Sequence, residues 1–304
     1  MVTKKIIRTR APLRISFVGG GTDLNEVFEK YGGAVISTTI DKYVYVELSK
    51  GKGVTVNGEK PDCFTQQIID KLKINNIKIN TWYEVPFGRG LANSSAYSVA
   101  LTKAILLYKN SHRSKREIVK LVYGIENSLG KCGWQDQIAC VYGGMNRIVF
   151  DKQGFCLMRC DTNDKIKKEL EKRLCLVYTG LTHKSSATQS KRKPISEKKA
   201  NKLKELVNNT YGSLIYENLK NIPVYLNHGW RLKKDKAIVN KQIERLYKKG
   251  FTCGASGGKL LGAGDGGYIL FYVEPNNMLK FREKMSITNQ ILNLKFTEKG
   301  VEQW

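Results

Sequence analysis

Several short stretches of this sequence carry residue types that could do chemistry. Gly88-Arg89-Gly90-Leu91-Ala92-Asn93-Ser94-Ser95 runs directly into the apolar stretch AYSVALTKAILLY. Glycines let a backbone approach an anion closely. A helix that follows presents free N–H groups and the positive end of its dipole. The hydroxyls of Ser94 and Ser95 add ligands for phosphate oxygens or Mg²⁺. A glycine-rich turn before a core helix has the same composition, so both readings stand. The segment lacks GxxxxGK[ST], and the pattern GxGxxG fails at Asn93. A second stretch, Gly254–Gly267, holds seven glycines in 14 positions with one lysine, Lys259. That is too many for one tight turn and suits a loop packed closely on a ligand or another backbone. A third, Gly19-Gly20-Gly21-Thr22-Asp23, ends in a pair able to exchange hydrogen bonds with a polyol. Asp136 is the one charge in CGWQDQIACVYGGMN, residues 132–146. It reads either as a satisfied Asp at a helix start or as a general base or electrostatic anchor in an uncharged pocket.

The elements that must position these groups follow from hydrophobic patterning. Residues 6–18 read as a strand, 24–31 as a short helix, and AVISTTI and YVYVEL as strands separated by Asp41-Lys42. Residues 79–85 read as another strand. The stretch 96–108 predicts an apolar helix, and 114–129 a second helix opened by a capping box, Ser114 with Glu117. Strands are expected at 147–150, 155–158, 174–179 and 268–273. Helical tracts are expected from 183–205 into 219 and near 235–249, with strand then turn in KFTEKGVEQW. This interleaving predicts an α+β protein of two lobes, and a composition shift places their boundary between about 155 and 172.

Composition narrows the function. The chain has 304 residues, 41% of them hydrophobic, enough for a sizeable core without staples. No apolar run reaches the ~18 residues of a membrane span. Arg8, Arg10 and Arg14 interrupt the first residues, which excludes a signal peptide. Seven cysteines with no CxxC pair argue for reduced thiols in a cytoplasmic protein, and Cys156 and Cys160 lack a nearby histidine for zinc. The net charge is +25, from 52 basic and 27 acidic residues. Such a balance suits nucleic acid, an anionic membrane or phosphorylated small molecules, and equally a merely solvated lysine-rich surface. No zinc-finger or RNA-recognition signature supports nucleic acid as the partner.

Taken in order, Ala11-Pro12-Leu13-Arg14 with GGGTD, then GRGLANSSA, GWQDQ…YGG and GGKLLGAGDGG make the chain closely resemble the GHMP kinases over essentially its whole length. The GGGTD and GWQDQ forms look most like the sugar-kinase branch of the D-glycero-D-manno-heptose 7-phosphate kinases. The resemblance implies an N-terminal mixed α/β lobe, residues 1–165, that binds ATP. It implies a C-terminal ferredoxin-like lobe, residues 166–304, with the active site between the two. It implies ATP and Mg²⁺. On it, Gly88, Gly90, Leu91, Ala92, Asn93, Ser94 and Ser95 form the phosphate loop, and Ser94 and Glu126 hold Mg²⁺. Asp136 becomes the catalytic aspartate and Arg14 its basic companion near the transferred phosphoryl. Gly20, Gly21, Thr22 and Asp23 face the sugar, with Lys259, Thr182, His183 and Lys184 as further substrate contacts.

The expected reaction is phosphorylation of the anomeric hydroxyl of a sugar phosphate, D-glycero-D-manno-heptose 7-phosphate, toward nucleotide sugars for capsule or other surface polysaccharide. The alternatives are an unphosphorylated sugar, as in fucokinases or galactokinases, and a catalytically weak member. The departures behind the last are Ala92 and Asn93, and Asp265, where relatives carry glycine, and His183, where they carry arginine. The expected partners are ATP and a sugar phosphate, with neither membrane nor nucleic acid, and a homo-oligomer is left open.

Overall fold

The computed structural model describes residues 5–182, 194–234 and 239–304. Its first sheet is built on two long antiparallel strands, β1 (Ile7–Val18) and β2 (Gly33–Lys50), with α1 (Asn25–Tyr31) between them. From Ala11 to Val18 every residue of β1 is buried, so this strand is covered on both faces. Arg14 lies inside that run and is 4% exposed. A charge placed there needs a partner. Strand β3 (Thr55–Val56) pairs with β4 (Ile77–Tyr83), and β4 pairs with the second half of β2. The first half of β2 pairs with β5 (Met145–Asp151), which pairs in turn with β6 (Gly154–Arg159). Helix α2 (Cys63–Leu72), α3 (Asn93–Tyr108), α4 (Lys115–Leu129) and α5 (Gln135–Tyr142) complete this lobe. Helix α3 is the central one. It is buried nearly all round and packs against β1, β2, α2, α4 and α5. Each of its interior Leu, Ile and Val side chains contributes about 1.5–3 kcal/mol by leaving water.

Helix α6 (Asp164–Arg173) leads into the second lobe. There the order is β7 (Leu174–Tyr178), α7 (Glu197–Ile215), α8 (Ile222–Lys233), α9 (Lys241–Thr252), β8 (Ala255–Leu260), β9 (Tyr268–Val273), α10 (Pro275–Ser286) and β10 (Ile291–Leu292). The sheet order is β10-β7-β9-β8 and every pair is antiparallel. This β-α-β-β-α-β connectivity is the ferredoxin-like arrangement. The α+β, two-lobed architecture expected from the sequence is the one observed. The chain then crosses back to the first lobe. Phe296 bridges Ile40, and β11 (Glu302–Gln303) pairs with β1 at Thr9 and Arg10.

The structure differs from the sequence reading at several elements. AVISTTI and YVYVEL are one strand, not two. Asp41 and Lys42 form a bulge between the pairs Leu13–Ile40 and Pro12–Tyr43, and the Asp41 N–H is taken by Lys295 O. The stretch Gly254–Gly267 is not all loop, because Ala255–Leu260 is strand β8. Its glycines serve packing. A Cβ on Gly257 would lie 2.5 Å from Pro223 Cα, and one on Gly258 2.9 Å from the Phe271 ring. The helix expected near 235–249 spans Lys241–Thr252, and the one expected at 96–108 starts at Asn93. KFTEKGVEQW ends in its strand rather than beginning with one. The sequence pattern predicts no helix at α2, α6, α8 or α10. In α6 only Leu170 is buried, so no apolar stripe announces it.

Candidate active site

The two lobes meet around a cavity of about 370 Å³. Its walls come from the GGGTD turn, the Gly88–Ser95 loop, the segment from Leu129 into α5, and the loop after β8. The fold therefore brings together four of the sequence stretches singled out for chemistry.

At the centre, Arg14 reaches out of β1 and clamps Asp136 with two parallel bonds. Its Nε donates to Oδ1 and its Nη2 to Oδ2, both at 2.8 Å. Its Nη1 donates to Gly90 O at 2.8 Å, and its backbone N–H to Leu91 O. Arg14 is buried, whereas the Asp136 side chain is 31% exposed and faces the cavity. The buried cation is thus matched, and the carboxylate is held in one orientation. Asp136 lies in the first turn of α5, where the helix dipole favours a negative charge. The Gln135 side chain donates to Asp136 Oδ1 at 3.4 Å and accepts from Ser16 Oγ at 3.1 Å. The segment before α5 is fixed from the other side. Trp134 stacks on Tyr123 with ring centres 3.9 Å apart, and both donate to Asn25 Oδ1.

The Gly88–Ser95 loop enters α3 through Ala92, which adopts φ +66. No side chain caps the helix there, so its first N–H groups are open to an anion from the cavity. Ser94 is exposed into the cavity and Ser95 is turned inward. Ser95 Oγ donates to Glu126 Oε2 at 2.9 Å, and Gln137 Nε2 donates to the same oxygen at 2.5 Å. Glu126 Oε1 is buried without a hydrogen-bond partner among the described residues. Burial pushes the Glu126 carboxyl up to about 7, against the hydrogen bonds that lower it. An orphaned Glu126 carboxyl oxygen and the exposed Ser94 hydroxyl, both on residues that line the cavity, fit a hard divalent cation.

The loop is braced by the second lobe. Gly90 and Gly262 sit back to back, and a Cβ on Gly262 would lie 2.5 Å from Gly90 Cα. Arg89 O accepts from Tyr268 N, its guanidinium lies 4.0 Å from the Tyr178 ring centre, and its Nη1 donates to Gln290 Oε1 at 2.8 Å. Ala92 at φ +66 and Asp265 at φ +62 both occupy backbone space that favours glycine. Asp265 is exposed and is not among the residues that line the cavity.

Asp23 lines the opposite wall. Its carboxylate accepts from Gly21 N at 2.9 Å and Gln135 N at 3.2 Å. Burial and the negative charge of Asp136 raise this carboxyl above its usual range. Gly133 leaves room for it, since a Cβ there would lie 1.9 Å from Asp23 Oδ2.

The cavity gathers Arg14, Gly20, Gly21, Asp23, Gly88, Gly90, Ala92, Asn93, Ser94, Ser95, Glu126 and Asp136. It does not gather every residue the sequence nominated. Thr22 is fully buried and its Oγ1 donates to Gly19 O and Ala34 O, so it shapes the turn instead of facing a ligand. Leu91 is core. Lys259 is buried on β8, and its Nζ donates to Phe17 O at 2.9 Å. Thr182 is exposed away from the cavity lining, and His183 and Lys184 lie outside the described residues. Conversely, Lys131, Gln137 and Lys233 line the cavity without having been singled out. Gln137 belongs to the GWQDQ run, which could have flagged it. Lys233 sits in a lysine-rich tract with no distinguishing pattern.

Residues 62–144 match the GHMP kinases N terminal domain. The chain is 29% identical to the D-glycero-alpha-D-manno-heptose 7-phosphate kinase of Campylobacter jejuni over 99% of both chains. It is similar in structure to a putative sugar kinase from Campylobacter jejuni, with a TM-score of 0.79 and 26% identity over 100% of this chain and 99% of that one. It shares its fold with a D-glycero-D-manno-heptose 1-phosphate kinase from Bacteroides thetaiotaomicron, with a TM-score of 0.81 at 23% identity and 99% coverage of each. The chain is thus similar to the GHMP kinases in part of its first lobe and to sugar kinases along its full length.

Proposed function

We propose that this protein is an ATP-dependent sugar kinase that phosphorylates the anomeric hydroxyl of a sugar phosphate, D-glycero-D-manno-heptose 7-phosphate, to give the 1,7-bisphosphate. The observation that carries the reading is Asp136, clamped by Arg14 and facing the same cavity as the uncapped start of α3 and the Glu126 carboxylate. Phosphoryl transfer asks a protein mainly to position groups and to neutralise charge, and these residues do both. The similarity to a heptose 7-phosphate kinase along the full chain supports the acceptor.

In this reading the phosphate loop and the first N–H groups of α3 hold the ATP phosphates. Ser94 and Glu126 hold Mg²⁺, which supplies positive charge against the phosphate oxygens. Asp23 accepts hydrogen bonds from sugar hydroxyls. Asp136 accepts a hydrogen bond from the anomeric hydroxyl and aims its oxygen at the terminal phosphorus. That oxygen forms the new O–P bond as the bond to the ADP oxygen breaks, and the hydroxyl proton passes toward the Asp136 carboxylate. Arg14 holds that carboxylate in place and sets a second positive charge beside the transferring group. The protein acts on small molecules in the cytoplasm, in a route to surface polysaccharide.

The test is a panel of acceptors with ATP and Mg²⁺, read as kcat/KM from ADP release, with ³¹P NMR locating the new phosphate. Heptose 7-phosphate as the best acceptor, phosphorylated at C1, is the expected result. Unphosphorylated fucose or galactose as the better acceptor overturns the heptose assignment and leaves the kinase. No transfer to any sugar overturns both.

A further inference from the structure

Lys233 is the last residue of α8 and the second lobe's basic contribution to the cavity wall. A basic residue near a helix C-terminus has an ordinary explanation, the favourable field of the helix dipole. Arg231 and Lys234 already provide that at the same end, and both are exposed. Lys233 does something else. Its ammonium leaves the helix and donates to Gly262 O at 2.5 Å, in the loop after β8.

Gly262 is the residue packed against Gly90 of the phosphate loop. Gly90 O, in turn, takes the third bond of the Arg14 guanidinium. Two cations from opposite lobes therefore end on the carbonyls of two glycines in contact with each other, and both cations line the cavity. Arg14 spends two of its bonds on Asp136. The ammonium of Lys233 is a compact point charge on a flexible stem, so it can follow a phosphate oxygen without the fixed geometry of a guanidinium.

We propose that Lys233 is a catalytic residue, a cation supplied by the second lobe to the terminal phosphoryl of the bound nucleotide. This rests on the kinase reading but not on the identity of the sugar. Lys233 bonds the terminal phosphate oxygens when ATP is present. The two phosphates nearer the nucleoside fall to the phosphate loop and the start of α3, and neither of them to Lys233. Its effect is therefore specific to the triphosphate.

The experiment is calorimetric titration of the full chain, without sugar, using Mg²⁺ with AMP-PNP and Mg²⁺ with ADP. Wild type is compared with Lys233→Met and Lys233→Arg, each checked for an unchanged Tm. A charge-assisted bond of this kind is worth about ten- to a hundredfold in affinity. Lys233→Met is expected to weaken AMP-PNP by about tenfold or more and to leave ADP within about twofold. Lys233→Arg recovers most of the AMP-PNP affinity, because it restores the charge. Equal weakening of both nucleotides shows that the residue only props Gly262 and the phosphate loop, and overturns the inference. So does unchanged AMP-PNP affinity in Lys233→Met. If Lys233→Met proves unstable, Lys233→Gln gives the same comparison with a polar side chain. A wild-type protein that binds neither nucleotide removes the kinase reading and the inference with it.

Discussion

The Arg14–Asp136 clamp makes a prediction that separates a working unit from two independent residues. In Asp136→Asn the amide keeps the shape of the carboxylate and loses its charge. Arg14, 4% exposed, is left as a buried cation facing a neutral group. Two charges about 4 Å apart attract by roughly 4 kcal/mol in a surface-like dielectric. Asp136 is part-exposed to the cavity, so solvent screens the pair, and the stability loss should be about 1–3 kcal/mol. The rate should suffer more. Removing a positioned proton acceptor costs about 10²–10⁴ in turnover. In Arg14→Met the carboxylate stays but loses both bonds that fix it, and Gly90 O loses its donor. Its turnover should fall by a similar order. If the two residues act as one device, the double variant loses little more than the worse single variant, because either change already dismantles it. Initial rates of ADP release at saturating substrates, with thermal unfolding as the control, decide this. Losses that multiply in the double variant would refute the coupling. An unchanged kcat in folded Asp136→Asn would refute the role of the aspartate itself.

Further outcomes follow from other parts of the site. Burial holds the Glu126 carboxyl near 7 in place of 4.5, so the folded protein binds that proton more tightly than the unfolded chain does. Metal-free stability should therefore fall as pH rises from about 4.5 to 7, by about 3 kcal/mol at most from this group. Glu126→Gln, which cannot titrate, should lose that slope in EDTA, and an identical Tm–pH profile in the two proteins counts against the burial argument. Gly262→Ala places a Cβ against Gly90 Cα at φ +67, so it should cost about 1–3 kcal/mol and raise the KM for ATP more than that for the sugar. A reversed order of effects would show that the loop contact does not reach the nucleotide. Asp265 is exposed at φ +62, where glycine is at ease, so Asp265→Gly should shift the KM for ATP by less than about tenfold. A much larger gain in activity would mean that the native residue suppresses catalysis.

Much of the cavity wall was legible because its residues lie in unusual local sequence. Glycine-dense stretches and a lone aspartate in an uncharged run stand out without any tertiary knowledge. What the sequence could not show is which residues of those stretches turn inward. Thr22 and Asp23 are neighbours, yet one closes the turn and the other meets the cavity. Lys259 stood out as the one lysine among glycines, but β8 is buried on both faces from Gly257 to Leu260, and its ammonium ends on Phe17 O in the interior. Lys233 reaches the site only because α8 ends beside the loop after β8, a fact of packing between distant segments. Strands β1, β4, β5, β6, β7 and β9 and the capped helix α4 were readable from period and capping chemistry, whereas β3, β8 and β10 were not. Helix α6 was not, because a helix that buries one leucine leaves no stripe to find.

The return of the chain to β1 has a consequence for how the molecule is made. Thr9 pairs with Gln303, Thr297 N donates to Thr39 O while Thr39 Oγ1 donates to Thr297 O, and Gly143 packs on the backbone of Lys299 and Gly300. Closing a loop of nearly 300 residues costs only about 5 kcal/mol in chain entropy, but it cannot happen until the second lobe has been synthesised. Until then β1 presents an unpaired edge, the kind of surface along which nascent chains join one another. The lobes are therefore two in architecture and one in folding. A fragment that stops at residue 165 should be trapped by aggregation rather than yield a small nucleotide-binding module, and the protein cannot be dissected into donor and acceptor halves by cutting between its sheets.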